Sequence, residues 1–196
     1  MHVHITYTGG TIGMVDSPHG LVPGADLEGW LDSLLKGTPL ARSVSVTSLE
    51  PLIDSSNATP LSWQAIVDDL RAHAAADPQT AFVILHGTDT MAYTASAMSF
   101  VFEGLSKPIV FTGSQLPLGE RGTDAAANVT GALKAATSGR LSGVALFFGH
   151  RLLAGNRVTK SSSWAFTGFE SPNAAPLATT GAPWQWAPST RGGAGW

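Results

Sequence analysis

The chain has 196 residues, 43% of them hydrophobic and 13% charged, with a formal net charge of -3 and no cysteine. This length allows one domain with a buried core, and the charge leaves no basic footprint for nucleic acid or an anionic membrane surface. The lack of cysteine excludes disulfides, thiolate nucleophiles and cysteine-bound metals. No signal-peptide or membrane-spanning pattern is visible, so we expect a soluble cytoplasmic protein.

The first half of the chain alternates between strand and helix patterns. Residues 3–8 predict a strand that ends at two glycines, and residues 44–49 predict a second strand. Apolar residues at helical spacing predict a short helix over residues 26–35. Thr59 followed by Pro60 predicts the N-cap and first position of a longer helix.

The second half repeats this alternation with longer apolar runs. Strand patterns at residues 81–85, 108–112 and 144–148 alternate with helical patterns at residues 91–102 and 125–137. This order predicts an α/β fold, with an open, mostly parallel sheet and helices on both faces. Ligands of such sheets bind beyond the carboxyl ends of the strands, where the polar clusters of this chain lie.

The composition changes after residue 170, where proline, glycine, alanine and threonine dominate. We therefore predict a domain over residues 1–170 and a C-terminal tail over residues 171–196 that does not fold independently. The tail contains Trp184, Trp186 and Trp196. We expect these tryptophans either to cover apolar surface of the domain or to stay loose while the chain pairs with another copy.

The segment TGGTIG, which ends at Gly13, follows the first strand. Its paired glycines let the backbone approach a ligand and expose N–H groups, while Thr11 adds a hydroxyl. A plain glycine-rich turn is the alternative interpretation. The spacing differs from that of a dinucleotide-binding fingerprint, so this segment alone leaves the function open.

Four further polar clusters lie between predicted elements, and each also has a purely structural interpretation. They are residues 54–57, residues 86–90, residues 113–117 with Asp124 and Asn128, and residues 156–160, which end in Lys160. The structural interpretations are a turn, an N-cap, a loop before a helix and a solvated surface lysine. His2 and His4 alternate without an acidic or third histidine partner nearby, so we predict no metal site.

Five segments, in this order, resemble the motif set of the L-asparaginase family, specifically its cytoplasmic type I branch. They are TGGTIG, LIDSSNATP, VILHGTDTMAYTASAMSF, TGSQLPLGERGTDAAAN and GNRVTK. The resemblance covers about residues 5–177 and implies that residues 1–170 are the family's N-terminal catalytic domain. We expect a single domain without the family's smaller C-terminal domain.

The resemblance also implies a role for each motif residue. The family's nucleophilic threonine corresponds to Thr11, which would attack the amide carbon of the substrate. Thr88 and Asp89 would form a second triad with Lys160. The substrate-binding residues that the resemblance implies are Asp54, Ser55, Ser56, Thr88, Asp89 and Ser114.

These roles imply an amidohydrolase that converts L-asparagine into L-aspartate and ammonia through a threonine acyl-enzyme. Glutamine stays open as a second substrate, because one methylene is worth only about 1–3 kcal/mol in a pocket. A threonine hydroxyl needs a base, and a lysine can act as one when its surroundings lower its pKa. The resemblance implies no cofactor, a small-molecule substrate as partner and a homo-oligomer.

Two other functions stay open beside this one. The first is a truncated module that binds asparagine or aspartate with little turnover. The second is the amidase subunit of a tRNA-dependent transamidation enzyme, against which the lack of a basic surface or an extra N-terminal domain counts. Leu21 stands where many family members carry a tyrosine in the loop after the nucleophile, so no hydroxyl is available at that position.

Overall fold

Most strands of the chain join one eight-stranded main sheet in the computed structural model, which describes residues 2–188. In chain order the strands are β1 (Val3–Tyr7), β2 (Met14–Ser17), β3 (Gly20–Pro23), β4 (Val44–Ser48), β5 (Ala81–Leu85), β6 (Pro108–Thr112), β7 (Gly143–Phe148), β8 (Arg151–Ala154), β9 (Thr159–Lys160), β10 (Phe169–Glu170), β11 (Ala178–Thr179) and β12 (Gln185–Trp186). The order across the main sheet is β12-β11-β8-β7-β6-β5-β1-β4, and β2–β3 and β9–β10 form separate hairpins.

The centre of the main sheet is parallel and its far edge is antiparallel. The neighbours β4, β1, β5, β6 and β7 run parallel, whereas β8, β11 and β12 join in antiparallel fashion. Every residue of β1, β5 and β6 is buried, as parallel strands covered on both faces should be. The predicted α/β fold class, with an open and mostly parallel sheet, is confirmed.

Two helices cover each face of the main sheet. They are α1 (Leu27–Leu35) and α4 (Ala125–Ala136) on one face, and α2 (Pro60–Ala76) and α3 (Met91–Val101) on the other. The predicted start of α2 is confirmed, since Thr59 precedes Pro60 as the N-cap. Within residues 2–188 no helix is both long enough and apolar enough to cross a membrane.

The antiparallel hairpins are not predicted by the sequence analysis. Residues 14–23 form the β2–β3 hairpin, residues 159–170 form the β9–β10 hairpin, and β8 turns back beside β7. These strands have two to four residues each. Strands of that length are too short for an alternating pattern to stand out in the sequence.

The C-terminal tail has more regular structure than its composition suggests. Strands β11 and β12 extend the main sheet there, and Trp184 stacks on a phenylalanine of β7 with ring centroids 5.5 Å apart. Lys134 and Arg140 lie over the rings of Trp184 and Trp186, each 5.1 Å from the centroid. These contacts are tertiary, so local composition does not reveal them. The expectation for Trp196 lies outside the described residues.

Candidate active site

Three loops meet at the carboxyl edge of the main sheet, and their backbones touch. A Cβ on Gly10 would overlap the Cα of Gly87, and a Cβ on Gly87 would overlap the hydroxyl of Ser55. Gly10 also has a φ of 94°, a conformation that favours glycine. The TGG and HGT segments are therefore in backbone contact, the HGT segment also packs on the Ser55 side chain of the DSS segment, and both glycines are required by these contacts.

The loop after β6 joins the same group. A Cβ on Gly113 would overlap the carbonyl of His86, and the His86 N–H donates to the Thr112 carbonyl at 2.9 Å. The predicted convergence of the polar clusters that follow Thr8, Leu85 and Thr112 is confirmed. Its cause is the parallel pairing of β1, β5 and β6, which brings their carboxyl ends to one edge.

Thr11 is the first residue of a single 3₁₀ turn directly after the two glycines. Its side chain is half-buried, whereas the next residue, Ile12, is fully buried. The Ile12 carbonyl accepts the N–H of Leu118 at 3.0 Å, and the Gly13 carbonyl accepts the N–H of Gly24 at 3.1 Å. These two bonds anchor the turn directly after Thr11, which holds Thr11 at the edge of the sheet.

Lys160 contacts both predicted members of its triad. Its Nζ donates to Thr88 Oγ1 at 2.9 Å and to Asp89 Oδ1 at 2.7 Å, across more than 70 residues of sequence. Thr88 is only 7% exposed, and the Lys160 side chain is 18% exposed, whereas that of Asp89 is 61% exposed. Lys160 is therefore held in the structure rather than solvated, and Asp89 remains open to a ligand.

The Asp54 carboxylate has a structural use in this conformation. It is the N-cap of a short 3₁₀ turn, with Oδ1 accepting the Ser56 N–H at 3.0 Å and the Ser56 hydroxyl at 2.8 Å. Hydrogen bonds from the Ser56 side chain and backbone lower the pKa of Asp54, and Asn57 adds to this. Asp54 and Ser56 are exposed, whereas Ser55 is buried against the neighbouring loop.

Ser114 lies inside a hydrogen-bonded loop. It is 1% exposed, and its hydroxyl donates to the Leu116 carbonyl. The Asp124 carboxylate accepts the N–H groups of Gln115 and Leu116 at 3.0–3.2 Å. The loop interpretation of residues 113–117 therefore describes this segment well, and the Ser114 hydroxyl does not point to solvent here.

Two groups near the site are given no role by the sequence analysis. His86 is 2% exposed, and burial lowers its pKa, an effect partly opposed by its hydrogen bond to the Gly87 carbonyl. Tyr7 lies against the turn that contains Thr11, where its hydroxyl occupies the space that a side chain on Gly13 would need, and burial raises its pKa. Leu21 is 47% exposed on β3.

One group of side chains could hold a metal ion among residues 2–188. Its members are His4, Asp69 and His73, with ligand atoms within 4.8 Å of one another. The expectation that His4 has no acidic or histidine partner nearby is thus wrong in space, because α2 packs across β1. The His4 and His73 rings stack at 3.4 Å and 16°, and both ring nitrogens of His4 already have protein partners, Ser45 and Asp69.

The fold and the site define an α/β domain with a threonine, a second threonine, a carboxylate and a lysine at the carboxyl edge of its parallel strands. Residues 2–190 match the family model for the N-terminal region of asparaginase. The chain therefore belongs to the asparaginase family.

Relatives of known name agree with this assignment. The chain is 45% identical to L-asparaginase 1 of Escherichia coli K12 over 184 residues, which cover 91% of the chain and 53% of that protein. The crystal structure of L-asparaginase I from Vibrio cholerae matches with a TM-score of 0.84 and 43% identity, over 95% of this chain and 56% of that one. A glutamyl-tRNA(Gln) amidotransferase component of Aeropyrum pernix is 35% identical over 192 residues, 90% of this chain and 43% of that protein. The chain thus spans about half the length of its asparaginase relatives.

Proposed function

We propose that the protein hydrolyses L-asparagine to L-aspartate and ammonia, with Thr11 as the nucleophile. One observation carries the proposal. Lys160 donates hydrogen bonds to Thr88 and Asp89, and the loop that contains Thr88 and Asp89 is in backbone contact with the loop that contains Thr11. A hydroxyl nucleophile, a base and an open carboxylate are thereby brought to one edge of the sheet.

The reaction begins when the Thr11 oxygen attacks the side-chain amide carbon of asparagine. The hydroxyl proton moves towards the Lys160 amine by way of Thr88, since a threonine hydroxyl is a weak nucleophile without a base. The carbon–nitrogen bond then breaks, and the departing nitrogen takes up a proton and leaves as ammonia. Thr11 is left as a β-aspartyl ester.

Water completes the cycle by attacking this ester. A carbon–oxygen bond to the water forms and the bond to the Thr11 oxygen breaks, which releases aspartate, while a proton from the water restores the Thr11 hydroxyl. The 2.9 Å separation of Lys160 Nζ and Thr88 Oγ1 suits proton transfer in either direction, with the hydroxyl donating when the amine is neutral. Backbone N–H groups beyond the strand ends would stabilise the oxyanion.

We propose that Asp89 and the DSS turn recognise the substrate. The open Asp89 carboxylate suits the α-amino group of an amino acid, and the DSS turn, which contains Asp54, Ser55 and Ser56, suits its polar groups. Ser114 is proposed as a further binding residue through the loop that it belongs to. Leu21 stands where many family members carry a tyrosine, so in this proposal Lys160 and Thr88 together supply the base that activates Thr11.

Ammonia release from asparagine tests this proposal, with glutamine measured in parallel. Activity that is lost in Thr11→Ala and Lys160→Met would support it. Calorimetry with aspartate separates it from the binding module: tight binding without ammonia release would favour that module. Ammonia release from free amino acids without tRNA would count against the transamidation function.

We further propose a cytoplasmic homo-oligomer. The resemblance to cytoplasmic type I enzymes supports both parts of this proposal. Size exclusion with light scattering, and an activity assay on each fraction, tests the oligomeric state. A monomer with full turnover would contradict it.

A further inference from the structure

The β9–β10 hairpin that carries Lys160 is held by few bonds of its own. Each of its strands has two residues, which pair Lys160 with Phe169 and Thr159 with Glu170. Within the hairpin, the N–H of Ser161 donates to the Gly168 carbonyl at 2.8 Å. So short a pairing is marginal by itself, and contacts from outside the hairpin must set the pose of the lysine.

Arg151 supplies such a contact. Its Nη2 donates to the carbonyl of Phe169 at 3.0 Å, and Phe169 is the residue opposite Lys160 in the hairpin. The Phe169 ring is 1% exposed and packs on Phe148 with centroids 5.0 Å apart. A hydrogen bond from a charged donor is stronger than one between neutral groups, so the guanidinium fixes the strand beside Lys160.

The turn from which Arg151 extends is itself fixed. Gly149 lies against the backbone of Phe166 so closely that a Cβ would overlap its carbonyl oxygen. The Gly149 N–H donates to Asn128 Oδ1 at 3.2 Å, and Asn128 Nδ2 donates to the Gly113 carbonyl and to Asp124, both at 2.9 Å. The residues after β6 and the turn before β8 are thereby joined in one buried network, which gives Asp124 and Asn128 a role.

We propose that Arg151 is a positioning residue for Lys160. It acts through the Phe169 carbonyl and does not touch the substrate. The inference rests on the proposed function for its kinetic consequence, but the pose of Lys160 can be measured without turnover.

Chemical labelling of Lys160 tests the pose directly. In the wild type, acetylation followed by peptide mass spectrometry should label Lys160 more slowly than the exposed Lys36, because the Lys160 amine is held by Thr88 and Asp89. Arg151→Met should raise the ratio of the Lys160 rate to the Lys36 rate severalfold, and Arg151→Lys should restore much of the protection. Arg42→Met, at an exposed site, is the matched control.

If the wild type releases ammonia, the kcat and KM of the Arg151 variants give a second test. Arg151→Met should lower kcat about 10- to 100-fold while KM for asparagine stays within about twofold, as expected when a catalytic group is misplaced by up to about 1 Å. Arg151→Lys should recover part of the loss. A wild type without ammonia release but with the predicted labelling would sink the proposed function and leave the positioning role standing.

The proposal is overturned if Arg151→Met leaves the labelling ratio of Lys160 unchanged. A lowered melting temperature with unchanged labelling would likewise show a purely structural arginine. If Arg151→Met fails to fold, Arg151→Gln, which keeps a shorter donor, is measured in its place, and the same ratio decides.

Discussion

The carboxyl edge of the main sheet and the C-terminal tail are built in opposite ways. At the carboxyl edge, glycine backbones touch, and the polar side chains of Thr11, Thr88 and Lys160 come from segments far apart in the sequence. In the tail, two strands of two residues are accompanied by Trp184, which stacks on Phe147, and by two cations that lie over the rings of Trp184 and Trp186. The first region is rich in polar side chains, whereas the described part of the second is held by aromatic packing.

Substitutions in the two regions should therefore affect different properties, activity at the carboxyl edge and stability in the tail. The half-buried Thr11 side chain contributes little to the core, so replacing it should remove activity and leave stability almost intact. The rings of Trp184 and Trp186 pack against Phe147, Lys134 and Arg140, so replacing them should do the reverse. Variants of Thr11, Lys160, Thr88 and Trp184 test this separation of activity from stability.

Thr11→Ala should abolish ammonia release, by roughly 10³-fold or more, because no nucleophilic hydroxyl remains. The melting temperature should stay within a degree or two of the wild type, since Thr11 is half-buried at the sheet edge. Thr11→Ser is the control and should keep some activity, because it retains the hydroxyl and loses only the methyl group. Appreciable turnover by Thr11→Ala would remove Thr11 from the role of nucleophile.

Lys160→Met and Thr88→Val should each lower kcat strongly, and the double variant should be little worse than either. The 2.9 Å contact joins the two groups into one unit, and residues that act as a unit have non-additive effects on rate. A kinetic double-mutant cycle measures the coupling. Additive losses would mean that the two residues serve independent purposes.

Trp184→Ala should destabilise the domain by about 2–3 kcal/mol in urea unfolding, since truncation of a large packed aromatic costs several kcal/mol when it is fully buried. The ring stacks on Phe147 and beneath Lys134. Trp164→Ala is the matched control, because Trp164 is 82% exposed and should cost little. The kcat of the folded Trp184→Ala protein should be unchanged, and a large loss would show that the tail reaches the site.

The smallest effect concerns a third region, where Asp69 ties α2 to β1. Burial alone would raise the pKa of Asp69, but hydrogen bonds from His4 and Thr6, with the charges of His4 and His73, lower it further than burial raises it. The folded carboxyl therefore titrates below its unfolded pKa of about 3.9. Its stabilisation is present above that pH and is lost as pH falls through the folded pKa.

Asp69→Asn should consequently be less stable than the wild type at pH 7, by about 1–2 kcal/mol for the lost charged hydrogen bonds. The difference should narrow as the pH falls from about 5 towards 2. Thermal unfolding across this range measures it. Asp68→Asn is the control on the same helix, since Asp68 is exposed and bonded only to Gln64 among the described residues, and a gap that stays constant with pH would contradict the argument.

The alternation of strands and helices could be predicted from the sequence. Strands that are buried on both faces appear as continuous apolar runs, and helices with one buried side appear as apolar residues at helical spacing. The sequence also determined which segments hold the site, since the TGG, HGT and GSQ segments follow strands whose carboxyl ends meet in any parallel sheet. Thr11, Thr88, Asp89 and Lys160 could be chosen only through the family resemblance, because each also fits a cap, a turn or a solvated surface.

The contacts between these residues are visible in the tertiary structure alone. The contact of Lys160 with Thr88 and Asp89 depends on the β9–β10 hairpin, whose two-residue strands leave no pattern in the sequence. The neighbours of His4 could not be identified from the sequence either, because Asp69 reaches it from another element. The order of the tail depends on Trp184 and Trp186 finding partners near α4. Local patterns report what each segment must bury, but contacts between segments follow from how the buried faces fit together.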